Sequence, residues 1–194
     1  MTKKDTRSRI LEQGARIVHQ KGFNNTGIQE VLQAAGVPKG SFYFYFKSKE
    51  EFGLELISYF EGLMTERMRY HFDSAGSSGL KSLKAYFDEF KAFFEETGYT
   101  AGCPVGNMAQ ELGDLSPRFQ ERVKNALDNT TSGILRCLGT AQRLGEIDES
   151  LNLEETANFI LNSWEGALLR MKAEKSIEPL VIFDTMIFER VLGK

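Results

Sequence analysis

Apolar residues recur along this chain at helical spacing, and no alternating strand pattern persists. Residues 6–21 form the first amphipathic segment, and Gly22 follows it at the position where left-handed backbone ends a helix. Other segments begin at a proline or a capping residue and end near a glycine. The pattern predicts further helices over residues 26–35, 39–44, 49–70, 80–96, 104–112, 117–144, 153–173 and 179–192. We therefore expect an all-α chain.

Two of the predicted helices are short and are joined by a tight turn. The first begins with a capping-box pattern, Thr26 followed by Gln29, and ends at Gly36; residues 37–40 then supply a turn that contains proline and glycine. This arrangement matches a helix-turn-helix, whose second helix lies in the DNA major groove. Ser48 followed by Glu51 is a second capping box and predicts the start of the next, longer helix.

The aromatic rings of the second short helix divide by spacing. Phe42 and Phe46 lie four residues apart and are predicted to face the core. Their expected neighbours in that core are Ile10, Val18, Ile28 and Leu32. Tyr43 and Tyr45 fall off this face, where their hydroxyls could donate hydrogen bonds to phosphate oxygens. Lys49 lies in the first turn of the long helix, where the free N–H groups favour an anion.

Charge is distributed unevenly along the chain. Its net charge is −3, but residues 1–50 contain nine Lys or Arg and four acids, which gives +5 and leaves −8 for the remainder. A basic N-terminal segment on an acidic body suits a polyanion ligand. We predict a helix-turn-helix DNA-binding domain over residues 1–48, and a helical effector-sensing and dimerisation domain over residues 49–194.

Residues 5–53 closely resemble the N-terminal module of the TetR family of transcriptional repressors. The resemblance rests on the pattern Thr26-x2-Gln29-x5-Ala35-Gly36-Val37-x2-Gly40-x2-Tyr43-x-Tyr45-Phe46-x-Ser48-Lys49-Glu50. It implies phosphate contacts from Thr26, Ser41, Tyr43, Tyr45 and Lys49, with Tyr45 standing where many members have histidine. It also implies base contacts from Gln29, which suits adenine, and Lys39, which suits guanine. Gly40 has no side chain and would let the backbone approach DNA.

The same resemblance implies a body that dimerises through its last two helices and binds an inducer between the others. The predicted dimerisation residues form apolar stripes and are Phe159, Leu168, Met171, Phe183 and Ile187. Core packing would explain such stripes equally well. One helix-turn-helix makes few base contacts, however, and pairing over a palindromic operator is the usual solution, so we expect a homodimer.

Cys103 is the strongest candidate for sensing a signal. Residues 101–109, with Glu111, resemble the TetR subgroup that includes the N-ethylmaleimide reductase repressor, whose cysteine answers electrophiles and reactive chlorine species. A thiol just before a helix can have its pKa lowered by the helix dipole. The alternative is a small buried hydrophobe in a tight turn. For Cys137, which lies among apolar residues of a helix, we predict a core position.

Two other mechanisms remain open. In the first, a repressor binds an apolar or aromatic ligand reversibly, without cysteine chemistry. The candidate pocket residues are Phe87, Phe90, Phe94, Met108, Leu112, Phe119 and Trp164. In the second, the protein is an enzyme and not a regulator, with Cys103 as nucleophile and His71 as base. The sequence contains no nucleophile elbow, phosphate-binding glycine loop or metal-ligand cluster. We expect no catalytic activity, no metal and no cofactor.

The expected partners are double-stranded operator DNA, a small-molecule or electrophile inducer, and a second copy of the chain. No segment approaches the roughly 20 apolar residues that a membrane span requires, so we expect no membrane association and a cytoplasmic protein. The sequence does not specify the operator, the regulated genes or the inducer, and it leaves activation open beside repression.

Overall fold

The computed structural model describes residues 3–74 and 78–193, and the regular structure in those residues is helical throughout. The helices are α1 (Lys3–Lys21), α2 (Ile28–Ala34), α3 (Phe42–Tyr45), α4 (Lys49–Ser74), α5 (Gly79–Glu96), α6 (Pro104–Leu112), α7 (Pro117–Arg143), α8 (Leu153–Glu174) and α9 (Glu178–Thr185). A 3₁₀ turn, Lys39–Ser41, precedes α3, and a π-helical turn, Met186–Val191, continues α9. The predicted all-α fold is confirmed. None of these helices is long and apolar enough to cross a membrane.

The helix ends follow the sequence signals with one exception. Gly22 and Gly36 have positive φ angles of 87° and 62° after α1 and α2, and Ser48 Oγ accepts a hydrogen bond from the Glu51 N–H at 3.0 Å. The predicted capping box at Thr26 is wrong. Gly27 precedes α2 without a side-chain cap, because the Thr26 hydroxyl donates instead to the Gly22 carbonyl at 2.7 Å. The small residues at 74–79 also predict a break between two helices; Ser74 ends α4, Gly79 begins α5, and residues 75–77 lie outside the described residues.

The chain divides into two compact units, and each unit is made of two separate segments of the sequence. The first comprises the described residues up to Gly62 together with Pro104–Ala126. The second comprises Leu63–Cys103 and the described residues from Leu127 onward. Helix α6 and the first turns of α7 therefore group with the helix-turn-helix. The predicted domain division at residue 48 stays a prediction.

The first unit has an aromatic core at the helix-turn-helix. Phe42 and Phe46 are each 1% exposed, and their ring centroids lie 5.4 Å apart. Phe52 of α4 packs edge-on against both rings, at 5.6 and 5.1 Å. Of the four expected apolar neighbours, Ile10, Val18 and Leu32 are buried. The expectation for Ile28 is wrong: it is only half-buried, because it is the first residue of α2.

The second unit has its own aromatic core around Trp164 of α8. The Trp164 ring lies 4.7 Å from Phe87 of α5 and 5.0 Å from Phe183 of α9. Outside this core, Lys84 and Lys91 of α5 pair with Asp184 of α9 at 3.2 and 3.1 Å. Apolar packing and charge pairing thus fix α5 and α9 in this unit.

Candidate DNA-binding surface and effector site

The 3₁₀ turn and α3 present a polar and aromatic surface. Tyr43 of α3 is 69% exposed, whereas Ser41 and Tyr45 are half-buried. Lys39 at the start of the 3₁₀ turn and Gln29 in α2 are both exposed. These five side chains have the donors and acceptors that phosphate and base-edge recognition needs. Their DNA contacts stay predictions.

Gly40 lies in this surface at a place where the fold does not require glycine. A Cβ built on Gly40 would meet no other atom of the chain within 4 Å. Its φ is not positive, so an L-residue would suffer no backbone strain there. Glycine at this position therefore suits a close approach from outside the chain.

Two of the residues predicted to contact phosphate have additional roles inside the first unit. Thr26 is 3% exposed, and its hydroxyl stabilises the turn after α1. The Lys49 ammonium lies 4.9 Å from the centroid of the Phe23 ring, which is a cation–π contact. Both phosphate contacts stay predictions, with Lys49 the more accessible of the two side chains.

Phe44 is a residue of this surface that sequence reasoning missed. It is 65% exposed and lies edge-on to Tyr45, with ring centroids 5.1 Å apart. The signal was available, because Phe44 lies two residues from both Phe42 and Phe46 and so cannot share their buried face. An exposed phenylalanine in the middle of a helix-turn-helix offers apolar contact to a thymine methyl or a sugar.

Glu111 of α6 holds the turn that leads into the helix-turn-helix. Its carboxylate oxygens accept hydrogen bonds from the backbone N–H groups of Phe23 at 3.1 Å and Asn24 at 2.8 Å. A Cβ on Gly22 would lie 2.6 Å from Glu111 Oε1, so a larger residue would have to shift the carboxylate, and the φ of 87° also favours glycine. No local sequence pattern predicts this contact, because Asn24 and Glu111 are 87 residues apart in the chain.

The start of α7 adds further contacts within the first unit. Phe119 packs edge-on against Phe23 at 6.1 Å. Arg118 pairs with Glu50 at 3.4 Å, and Arg122 pairs with Glu61 of α4. Helix α6 and the start of α7 therefore contact the turn after α1 and helix α4, which precede and follow the helix-turn-helix in the chain.

Cys103 lies in a sharply turned loop at the end of α5. The residues that precede it have positive φ angles: 57° at Tyr99, 66° at Ala101 and 84° at Gly102. Lys175, in the left-handed cap of α8, donates a hydrogen bond to the Tyr99 carbonyl at 3.3 Å. Cys103 itself is 8% exposed, and the next residue, Pro104, begins α6.

An acidic side chain contacts the Cys103 thiol. Glu165 of α8 accepts a hydrogen bond from that thiol. Burial raises the pKa of Glu165, and the thiol hydrogen bond offsets only part of that increase. Tyr86 of α5 is 4% exposed, and burial together with the charges of Cys103 and Glu165 raises the pKa of its hydroxyl far above the ordinary value. Sequence reasoning named no charged neighbour of Cys103, because Glu165 is distant in the chain.

The residues predicted to line a ligand pocket are divided between the two units. Phe87, Phe90, Phe94 and Trp164 lie in the second unit, and Met108, Leu112 and Phe119 in the first. All are buried except Phe90, which is half-buried. Their role in ligand binding stays a prediction. His71, the proposed enzymatic base, pairs with Glu89 at 2.6 Å.

The predicted dimerisation residues also differ in exposure. Leu168, Met171, Phe183 and Ile187 are buried within the chain, whereas Phe159 is 53% exposed. Beside Phe159, a groove runs between α8 and α9, and the remaining groove residues are Ser163, Gly166, Ala167, Arg170, Glu174, Glu178, Pro179, Ile182, Phe183, Met186 and Ile187. Ile182 and Met186 also line the groove, although the sequence pattern does not single them out. They are 55% and 50% exposed.

Comparison with known proteins agrees with this geometry. Residues 10–56 match the family described as bacterial regulatory proteins, tetR family, and residues 79–187 match the tetracyclin repressor-like C-terminal domain. The chain belongs to the TetR family. Members are transcriptional regulators that bind operator DNA and small-molecule ligands, and this TetR chain has the corresponding helix-turn-helix in its first unit.

Relatives of this TetR regulator include named repressors. The HTH-type transcriptional repressor DhaR of Mycobacterium sp. (strain GP1) is 32% identical over 99% of this chain and 95% of its own length. The repressor NemR of Escherichia coli K12 is 31% identical over 92% of this chain and 90% of its own length.

Solved structures show the same fold. A regulatory protein TetR from Rhodobacter sphaeroides superimposes with a TM-score of 0.87 and 31% identity, covering 95% of this chain and 97% of that one. The reduced form of E. coli NemR gives a TM-score of 0.85 and 27% identity, covering 94% of this chain and 96% of that one. The likeness to NemR supports the predicted subgroup only loosely.

Proposed function

We propose that the protein is a cytoplasmic repressor that binds a palindromic operator as a homodimer and releases it when Cys103 is chemically modified. The DNA-binding part of this proposal is supported by the exposed surface of Gln29, Lys39, Gly40 and Tyr43, and by the repressor names of two full-length relatives. Phosphate contacts would fix the register of the 3₁₀ turn and α3, and base-edge contacts would give specificity.

The homodimer is supported by the exposed apolar side chains beside the α8–α9 groove. Phe159, Ile182 and Met186 are each at least half exposed. A second copy could bury them against the same residues of its own α8 and α9, because a two-fold interface uses one patch twice. Two DNA-binding modules would then reach two half-sites together, and a small change in their separation would weaken specific binding.

The observation that carries the sensing role is the place of Cys103 in the chain, at the end of a segment that belongs to the second unit. It is the last residue of its segment of the second unit, and Pro104 starts the α6 segment of the first. At 8% exposure, Cys103 has little room for an added group, so modification would displace its loop. The displacement would pass along α6 to Glu111 and the turn at Phe23 and Asn24.

A binding experiment with an electrophile tests this function. Fluorescence anisotropy would follow the purified protein on labelled DNA from immediately upstream of its own gene, with N-ethylmaleimide titrated into wild type and Cys103→Ser. We expect wild type to release the DNA and Cys103→Ser to keep it. Release from both proteins, or from neither, would contradict sensing through Cys103, and a screen of apolar ligands would then test the reversible mechanism.

A further inference from the structure

We propose that the start of α7 takes part in DNA binding from outside the helix-turn-helix: Ser116 and Arg118 hold the Glu50 carboxylate away from the phosphates of bound DNA. This inference rests on the proposed phosphate contact of Lys49. It gives a positioning role in operator binding to two residues that are 66 and 68 positions from Glu50 in the chain.

The first turn of α4 combines the predicted phosphate-binding residue with two acids. Lys49 begins the helix, and Glu50 and Glu51 follow it directly. Acids suit this place in an isolated helix, because the first turn carries the positive end of the helix dipole. Beside DNA the same acids are repelled, since a phosphate held by Lys49 would lie on the order of 10 Å away, about one Debye length at 0.1 M salt. The two carboxylates therefore oppose the contact that Lys49 is proposed to make.

The two carboxylates are held by different parts of the chain. Glu51 Oε2 accepts a hydrogen bond from the Lys47 N–H at 3.0 Å, so this acid is bound within its own segment. Glu50 is bound by residues at the start of α7. Ser116 Oγ donates to Glu50 Oε1 at 2.9 Å, and the Arg118 guanidinium donates to Glu50 Oε2 at 3.4 Å. Each oxygen of the Glu50 carboxylate thus has a donor from the distant segment.

An aromatic contact places the start of α7 beside the same turn. The Lys49 ammonium lies 4.9 Å from the centroid of the Phe23 ring, and Phe23 packs edge-on against Phe119 at 6.1 Å. Phe119 is buried and directly follows Arg118, so its packing fixes the backbone from which Arg118 extends. Lys49 and Glu50 are therefore connected to the start of α7 by two separate sets of contacts, all within the first unit.

The Glu50–Arg118 pair has more to offer DNA binding than folding. The two side chains are 37% and 63% exposed, and ion pairs with this exposure contribute little to the free energy of folding. Lys47 is exposed three residues before Glu50. A released Glu50 carboxylate would compete with phosphate for this cation and would itself repel the DNA. The contact with Arg118 prevents both effects.

DNA binding by matched variants tests the role of Arg118. Fluorescence anisotropy at about 50 mM salt would follow a labelled duplex from immediately upstream of the gene with wild type, Arg118→Ala, Glu50→Gln and the double variant. We expect Arg118→Ala to weaken binding about fivefold, since each protomer of the proposed dimer would release one carboxylate beside the DNA. Arg143→Ala removes an exposed arginine from the other end of α7 and should match wild type within about twofold.

The double variant separates positioning of Glu50 from a direct contact between Arg118 and DNA. If Arg118 acts through the carboxylate, its loss matters only while the carboxylate is present. We therefore expect Glu50→Gln to bind at least as tightly as wild type, and Arg118→Ala to cost less than about twofold in the Glu50→Gln background. An equal loss in both backgrounds would mean that Arg118 meets the DNA directly, and would overturn the proposal.

Three readouts distinguish this role from a disturbed fold. Arg118→Lys keeps a cation and should recover part of the affinity. Arg118→Ala should melt within about 2 °C of wild type, because its side chain is largely exposed. Its binding deficit should shrink as salt rises from about 50 to about 300 mM, since salt screens exposed charges. A deficit that stays constant over this range would contradict an electrostatic role. Arg118 is substituted in preference to Ser116, because Ser116 Oγ also accepts the Arg118 N–H at 3.2 Å and so caps α7.

Lys49→Ala separates this inference from the function on which it rests. If Lys49→Ala keeps wild-type affinity, the proposed phosphate contact is wrong and the role of Arg118 fails with it. If Lys49→Ala weakens binding by about tenfold while Arg118→Ala binds like wild type, the phosphate contact stands and the role of Arg118 is wrong.

Discussion

The Glu111 carboxylate and the backbone N–H of Asn24 are joined by a 2.8 Å hydrogen bond that connects α6 to the turn before the helix-turn-helix. The same carboxylate also accepts from the Phe23 N–H, so one side chain holds two successive residues of that turn. The contact defines a route by which a change at the start of α6 can reach the DNA-binding helices.

Removal of this carboxylate should loosen the turn. We expect Glu111→Ala to lower the free energy of unfolding by about 1–2 kcal/mol, because two charge-assisted hydrogen bonds are lost and water replaces them only in part. Urea denaturation would measure the change, with Glu121→Gln as a control at an exposed acid of α7. If Glu111→Ala unfolds like wild type, the contact does not stabilise the turn.

Gly40 should matter for DNA binding and not for folding. Because a Cβ at this position meets nothing in the chain within 4 Å, Gly40→Ala should leave the melting temperature unchanged or slightly higher. We expect operator affinity to fall by about tenfold, since a methyl group would keep the backbone away from DNA. Full affinity in Gly40→Ala, measured by anisotropy, would show that DNA does not approach this residue closely.

Phe44 should contribute apolar contact to DNA. We expect Phe44→Ser to keep wild-type stability, because the ring is 65% exposed, and to weaken operator binding by about tenfold or more. Leu115→Ser is a matched control: Leu115 is 66% exposed in the same unit but lies outside the helix-turn-helix. Equal affinities in the two variants would place Phe44 outside the DNA interface.

Cys137 should be inert in the folded protein. Burial raises its pKa to about 11, and the residue is fully buried. At pH 8 its thiolate fraction would be about one part in a thousand, and this fraction would increase only as the pH rises towards 11. Peptide mapping after iodoacetamide treatment should find label at Cys103 in the native protein and at both cysteines in urea. Rapid labelling of native Cys137 would contradict this expectation.

A charge in the α8–α9 groove should separate the protomers. Ile182→Glu would place a carboxylate at a 55% exposed position, with little effect on the fold of one chain and a high desolvation cost in an interface. We expect a monomer in analytical ultracentrifugation and loss of operator binding. Leu144→Glu, at a 52% exposed leucine outside the groove, is the control and should behave as wild type. If Ile182→Glu remains a dimer, the dimer interface does not include this groove.

Local patterns in the sequence predicted the fold well. Helical periodicity, the glycines with positive φ and the Ser48 cap are local features, and they place the helices to within a few residues. The buried pair Phe42 and Phe46 followed from spacing in the same way. The Thr26 cap was mispredicted because a threonine hydroxyl can also bond backward, to a carbonyl four residues earlier.

Long-range contacts were not predictable from one sequence. Glu111 meets Asn24, and Glu165 meets Cys103, across 87 and 62 residues of chain, and no local pattern encodes either meeting. The apolar stripes of α8 and α9 posed a related difficulty. Leu168 and Met171 satisfy the packing of their own chain, whereas Ile182 and Met186 are left exposed, and only the three-dimensional arrangement separates the two groups.

The discontinuous first unit limits how this protein can be cut and recombined. A fragment that stops at Gly62 would lack Pro104–Ala126, and with it the Glu111 and Phe119 contacts to the segment around Phe23. A hybrid regulator that joins this DNA-binding unit to the sensing part of another protein would need the segment up to Gly62 and the segment Pro104–Ala126 together. The residues that determine operator specificity and those that determine the signal therefore cannot be exchanged as two consecutive segments of the chain.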